Sequence, residues 1–62
     1  MSTLRSIERF LQRTGMAPTA FGRQAARDPR LVFDLRKGRE PSDRMQRRLQ
    51  HFMAHHEGSD VQ

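Results

Sequence analysis

The sequence has no cysteine, no tryptophan and no tyrosine among its 62 residues. Without cysteine, neither a disulfide framework nor a thiolate metal site can form, so stability must come from packing or from self-association. Long apolar runs are missing too, because none approaches the roughly 18 residues that span a bilayer and the first residues lack the continuous apolar core of a signal peptide. We therefore expect a soluble protein of the reducing cytoplasm that does not bind membranes.

Catalytic constellations are also missing. A domain this short buries only about 60% of its unfolded surface, which leaves little room for a deep pocket. No glycine-rich phosphate loop is present, and no serine has a recognisable base and orienting group nearby. The sequence thus predicts a single non-enzymatic domain without a cofactor or a small-molecule substrate.

Basic charge is what the sequence does contain. Twelve Lys and Arg residues against seven Asp and Glu residues give a net charge of +5. Nine of the twelve basic residues lie between Arg23 and Arg48, and all but Lys37 are arginine. The arginine fork suits bidentate binding of phosphate and guanine, so a polyanion is the natural partner. The alternative at this point is a solvated surface that keeps the protein soluble.

Four segments space their apolar residues as helices do, and no stretch alternates polar and apolar residues as a strand does. The sequence therefore predicts an all-α fold of four short helices. These cover residues 3–14, 18–26, 29–37 and about 42–56, in a domain of residues 1–57 followed by a flexible polar tail, 58–62.

Turn residues set the predicted boundaries. Pro18 suits the first turn of the second helix, and Asp28 before Pro29 is a typical cap and first residue for the third. Gly38 is the matching stop, and Ser42 is the expected N-cap of the fourth helix. Only one or two residues separate the second helix from the third, so the two must cross sharply.

The third predicted helix has two different sides. Leu31, Val32 and Leu35 cluster on one side, which must face the core. The other side carries a phenylalanine among charged residues: Arg30, Phe33, Asp34 and Lys37.

Each residue of that second side has a possible role on DNA. Arg30 can bond bidentately to guanine, and Asp34 can accept from the cytosine amino group or orient Arg30. Phe33 has two interpretations that the sequence leaves open. It either packs against the first or fourth helix, as large aromatics often do, or contacts a thymine methyl group.

A longer pattern joins these residues. A large apolar residue, Phe21, precedes a small one, Gly22, and Val32 and Leu35 follow at core positions of the next helix before the ending Lys-Gly-Arg-Glu-Pro of residues 37–41. In this pattern residues 16–42 resemble the Cro and lambda-repressor-like helix-turn-helix family. The sequence departs from the family at Ala26, where a turn glycine is usual, and at Ala17, where a capping Ser or Asn is usual.

The resemblance implies a helix-turn-helix made by the second and third helices, with residues 29–37 in the major groove. The family's base-reading positions fall on Pro29, Arg30, Phe33 and Asp34. Its phosphate-contacting positions fall on Thr19 and Lys37, with Arg39 close by. Two further arginines of the same basic stretch complete the predicted phosphate-binding set, namely Arg23 and Arg36.

The fourth predicted helix offers two weaker signals. His51 and His55 are spaced i, i+4, as in a two-histidine metal site, but no third ligand is fixed nearby, so we predict no metal. Arg44, Arg47 and Arg48 either touch phosphates or are simply solvated.

The sequence thus predicts a sequence-specific regulator of transcription that binds double-stranded DNA, with a homodimer on a palindromic or repeated site. A phage, prophage or mobile-element repressor would fit, located with the nucleoid. Phe10, Phe52 and Met53 are candidate residues for the dimer interface. The alternatives are a non-enzymatic interaction module, antitoxin-like or an adaptor, that binds an acidic protein, and a non-specific nucleoid or RNA-binding protein.

Overall fold

A computed structural model describes residues 3–60 of the chain, with the side chains of residues 3–56. The described residues form four α-helices and no strand, which confirms the all-α prediction. The helices are α1 (Thr3–Thr14), α2 (Pro18–Ala26), α3 (Leu31–Arg36) and α4 (Asp43–Asp60). None of these helices is long and apolar enough to cross a membrane.

The helix α3 is shorter than predicted at both ends. Its predicted start, Asp28-Pro29, forms a turn in which the Leu31 amide donates to the Asp28 carbonyl oxygen at 3.1 Å. The Asp28 carboxylate accepts a bond from the Arg30 amide at 3.0 Å, which is the bond predicted for Asp28 as a cap, but Pro29 and Arg30 form a turn and are not the first residues of the regular helix. Regular helix therefore begins at Leu31, two residues later than expected.

The helix α4 begins where the sequence indicated but ends later. The Ser42 hydroxyl accepts a hydrogen bond from the Met45 amide at 3.2 Å, which confirms Ser42 as the capping residue. The helix continues to Asp60, so the predicted end near His56 was too early. For the predicted tail, the side chains of 58–60 and all of 61–62 lie outside the described residues.

All four helices contribute to the core. The helices α1 and α2 each pack against both α3 and α4. Leu31, Val32 and Leu35 face inward from α3, as predicted. Ten hydrophobic side chains are buried: Ile7, Phe10, Leu11, Phe21, Ala25, Leu31, Val32, Leu35, Leu49 and Met53. Burying a large apolar side chain contributes about 1.5–3 kcal/mol, so this core is the main source of stability.

Aromatic rings fill the part of the core where α1, α2 and α4 meet. The ring centroids of Phe10 and Phe21 are 5.6 Å apart, and those of Phe21 and Phe52 are 5.5 Å apart with nearly perpendicular rings. His56 lies against Phe10 with a centroid distance of 5.3 Å. Phe10 and Met53 are buried within the single chain, so their prediction as dimer-interface residues was wrong. Phe52 is half-buried in the same cluster.

The junction of α2 with α3 depends on close backbone contact. A Cβ added at Gly22 would overlap the Asp28 carbonyl oxygen and lie 3.3 Å from the Leu31 Cβ. The Asp28 amide in turn donates to the Gly22 carbonyl oxygen at 2.9 Å. Gly22 is therefore required for the close approach of α2 to the start of α3.

The turn after α2 places a non-glycine residue in the left-handed region. Arg27 has a φ of +55°, and its amide donates to the Arg23 carbonyl oxygen at 3.0 Å. The residue with positive φ is therefore Arg27, one residue after Ala26, at which the sequence lacks the turn glycine that is usual in the family it resembles. At the start of α2, Ala17 makes no side-chain capping bond, so this departure from the family pattern leaves the helix without a side-chain cap.

Gly38 ends α3 as the sequence predicts. Its φ is +109°, its amide donates to the Leu35 carbonyl oxygen at 3.1 Å, and the Arg39 amide donates to the Asp34 carbonyl oxygen at 3.0 Å. This pair of bonds is a Schellman motif, in which glycine is favoured because it adopts positive φ without steric cost.

Candidate nucleic-acid interface

The outer side of α3 is the predicted reading surface, and most of it faces solvent. Pro29 and Arg30 are exposed in the turn that precedes α3, and Lys37 is exposed just after α3 ends. Asp34 is half-buried. The predicted base-reading residues therefore lie on one short stretch of chain, of which only Phe33 and Asp34 belong to the regular helix.

Phe33 is the exposed large hydrophobic residue among the described side chains, with 41% of its surface accessible. The structure thereby answers the question that the sequence left open, because Phe33 does not pack into the core. Single exposed apolar side chains are common on protein surfaces, so the exposure of Phe33 alone does not mark a binding site. The ring is nevertheless accessible to an apolar group of a ligand.

Arg36 joins α3 to α1. Its Nε and Nη2 atoms donate to the two carboxylate oxygens of Glu8, each at 2.8 Å. The hydrogen bonds from Arg36 lower the pKa of Glu8, and the same bonds raise the pKa of Arg36. The Arg36 guanidinium carbon also lies 5.8 Å from the centre of the Phe33 ring. Arg36, predicted to bind phosphate, is therefore bonded to a carboxylate within the chain.

Arg39 pairs with two carboxylates, one in the turn before α3 and one on the outer side of α3. Its Nη1 atom lies 3.3 Å from Asp28 Oδ2 and 3.4 Å from Asp34 Oδ2. One guanidinium nitrogen thus serves two acids at long distances, and all three side chains are 35–45% exposed. The sequence allowed Asp34 to orient Arg30, but in the structure Asp34 pairs with Arg39.

The two predicted phosphate contacts on α2 are exposed. Thr19 and Arg23 are spaced i, i+4, so they share one side of that helix. The structure shows no bond from either side chain to α3. Two pairs of predicted site residues are in contact in the structure, namely Phe33 with Arg36 and Asp34 with Arg39.

Sequence reasoning did not single out Glu8, and it did not predict the contact that Arg48 makes within the chain. Glu8 is the single acid of α1 and borders its apolar stripe at Ile7 and Leu11, a pattern that places it near a neighbouring helix but does not indicate its partner. Arg48 donates to the Ala25 carbonyl oxygen at 2.9 Å and so satisfies a carbonyl at the end of α2. Arg44 and Arg47 are exposed on α4.

The histidine pair on α4 is also exposed. The rings of His51 and His55 have centroids 4.0 Å apart. Among the described residues, no group of three or more His, Asp or Glu side chains is placed to hold a metal ion.

Comparisons of this chain with protein-family models, with curated proteins and with solved structures find no match.

Proposed function

We propose that the protein is a sequence-specific regulator of transcription that binds double-stranded DNA, and that α3 with its flanking residues enters the major groove. The observation that carries this proposal is the outer side of α3, where the exposed Phe33 ring is accompanied by Arg30 and Lys37 while the inner side is buried. A short helix fixed to the core on one side and exposed on the other suits the major groove, which admits an α-helix.

Each group on this surface matches a feature of duplex DNA. Arg30 is the candidate for a bidentate bond to guanine O6 and N7, and Phe33 for contact with a thymine methyl group. Pro29 lies beside Arg30 in the same exposed turn. Lys37 is the candidate for a phosphate contact, because it carries a point charge at the far end of the surface.

The residues on α2 extend this footprint. Thr19 and Arg23 offer a hydroxyl and a guanidinium on one exposed side, which are groups that bind phosphate oxygens. The net charge of +5 supports a polyanionic partner, since neutralising phosphates supplies much of the affinity for DNA. Such a role would place the protein with the nucleoid in the cytoplasm.

We also propose that the protein binds as a homodimer, because one helix of six residues makes few base contacts and a two-fold partner would double them. Light scattering at tens of micromolar, with and without the preferred duplex, measures the stoichiometry. Two chains on each palindromic site is the expected result, and one chain on each site would contradict the homodimer.

The experiment that tests the function is selection of bound sequences from a random duplex pool, followed by competition. A labelled duplex carrying the selected sequence should be displaced by its unlabelled copy at a concentration at least about 1,000-fold below that of a scrambled duplex. A protein adaptor that uses its basic surface on an acidic partner should show no such preference. Equal competition by both duplexes would therefore refute the proposal.

A further inference from the structure

Fewer basic side chains on the outer side of α3 are available to a ligand than the sequence suggests. The inference drawn from this rests on the proposed function. Four basic side chains lie on α3 or beside it: Arg30, Arg36, Lys37 and Arg39. Two of them are bonded to carboxylates, since Arg36 pairs with Glu8 and Arg39 pairs with Asp28 and Asp34.

The pair of Glu8 and Arg36 has the better geometry of the two. Both of its hydrogen bonds measure 2.8 Å and engage both carboxylate oxygens, which is the strong bidentate arrangement. Yet 41% of the Arg36 side chain and 37% of the Glu8 side chain are exposed. Exposed ion pairs contribute little to stability in general, but the bidentate arginine–carboxylate geometry is the exception, so this pair can hold Arg36 against a competing phosphate.

The position of this pair suggests what it does. The Arg36 guanidinium lies beside the ring of Phe33, and Glu8 keeps it there from α1, a helix on the core side of α3. A free arginine at this point would reach toward any phosphate, whatever the sequence of the duplex. With Glu8 bound to it, the group beside Phe33 carries no net charge.

We propose that Glu8 is a specificity-determining residue, which acts by withholding the charge of Arg36 from phosphates and holding its guanidinium beside Phe33. Non-specific affinity rises with the number of phosphates that a protein neutralises, and the salt dependence rises by about 0.9 for each one. A phosphate contact made by a released Arg36 would strengthen every duplex, but its release would also disturb the arrangement of Arg36 beside Phe33, which only the preferred duplex requires. Specificity, the ratio of preferred to non-specific binding, would therefore fall.

The test compares two substitutions that remove the same charge. Glu8→Gln removes the carboxylate that holds Arg36. Glu40→Gln is the matched control, because Glu40 is exposed in the loop that follows α3 and is in none of the ion pairs between described residues. Fluorescence anisotropy over a salt series gives the affinity and the salt slope for the preferred and the scrambled duplex.

Glu8→Gln should strengthen binding to the scrambled duplex several-fold, steepen the salt slope by about one unit per protomer and lower the preference for the selected sequence. Glu40→Gln should change both duplexes alike and leave the slope unaltered. Circular dichroism at the assay temperature confirms that each variant is helical.

A second variant tests the same inference without touching Glu8. Arg36→Gln should leave the salt slope at the wild-type value, because a withheld charge neutralises no phosphate. In the Glu8→Gln background, the same change should return the slope to the wild-type value. A single Arg36→Gln variant that loses about one unit of slope would show that Arg36 contacts phosphate and would overturn the inference.

Two other results would also overturn it. Equal effects of Glu8→Gln and Glu40→Gln would mean that net charge alone is responsible. Weaker binding to both duplexes by Glu8→Gln with an unchanged slope would mean that Glu8 only supports the fold. These results leave the proposed function intact. If the wild-type protein prefers no duplex sequence, both the proposed function and the inference about Glu8 are refuted.

Discussion

The two sides of α3 are held by different forces. On the inner side, Leu31 and Val32 are fully buried, and the backbone of the preceding turn touches α2 at Gly22. On the outer side, the ordering contacts are ion pairs between side chains that remain 35–45% exposed. Burial and backbone contact contribute kilocalories to stability, whereas exposed ion pairs contribute at most a fraction of that. The position of α3 and its binding chemistry should therefore be separable by mutation.

The largest expected effect lies on the inner side, at Gly22. Alanine within a helix is normally more stable than glycine by about 0.5–1 kcal/mol, but here the new Cβ meets the Asp28 carbonyl oxygen. We expect Gly22→Ala to destabilise the protein by about 3 kcal/mol, as overpacking does. Urea unfolding followed by circular dichroism measures the difference.

Gly15 is the matched control for this prediction. An added Cβ there meets nothing within 4 Å, although a φ of +76° makes alanine cost about 1–2 kcal/mol. If Gly22→Ala were no more harmful than Gly15→Ala, close backbone contact would not be what positions α3.

The next largest effect is expected for substitutions on the outer side of α3, which should change the affinity for DNA and leave the free energy of unfolding nearly unaltered. Arg30→Ala should cost about 1–3 kcal/mol on the preferred duplex and flatten discrimination at one base pair. Lys37→Ala should weaken all duplexes about equally and lower the salt slope by about one unit per protomer. Anisotropy on selected and scrambled duplexes measures both. Equal losses on the two duplexes for Arg30→Ala would show that a different surface reads the bases.

Arg27, in the turn that joins α2 to α3, should give a smaller effect of opposite sign. Its left-handed φ of +55° is strained for a residue with a Cβ, so Arg27→Gly should stabilise the protein by about 0.5–1 kcal/mol. Arg23→Gly, inside α2, is the control and should destabilise by about 1 kcal/mol. Loss of stability in both variants would contradict the strained turn.

The smallest effect concerns the pH dependence contributed by Glu8. Because Arg36 lowers the pKa of Glu8, the folded state favours the ionised carboxylate. The stabilisation is therefore present above the ordinary glutamate pKa and is lost as the pH falls through the lowered one. Urea midpoints of wild type and Glu8→Gln should differ slightly at pH 7 and converge toward pH 3. A constant difference across this range would exclude the ion pair as its source.

Local signals in the sequence predicted most of the fold. The bounds of α1 and α2, the inward side of α3, the stop at Gly38 and the cap at Ser42 each depend on a few neighbouring residues, which is why they could be read. The start of α3 was misplaced because Asp28 followed by Pro29 favours a turn as well as a helix start. Only the tertiary structure distinguishes the two.

The site was less predictable, because its side-chain contacts join residues that are distant in the sequence. The sequence predicted that Arg30 and Lys37 lie opposite the buried residues of α3, and both are exposed although they flank the regular helix. It did not predict the partners of Arg36 and Arg39. Arg36 is 28 positions away from Glu8 along the chain, and nothing local indicates that they meet. The exposure of Phe33 was likewise open, because periodicity places it on the outer side without showing whether another helix covers it.

The aromatic cluster also has a consequence for the order in which the protein folds. Phe10 and Phe52 come from opposite ends of the described chain, so their contact closes a long loop, whereas α2 and α3 are neighbours in sequence. Loop closure makes distant contacts slower to form than local ones. We expect α2 and α3 to meet in the folding transition state before the aromatic cluster is complete, with a higher φ-value for Ala25→Gly than for Phe52→Leu. The reverse order of φ-values would contradict this sequence of events.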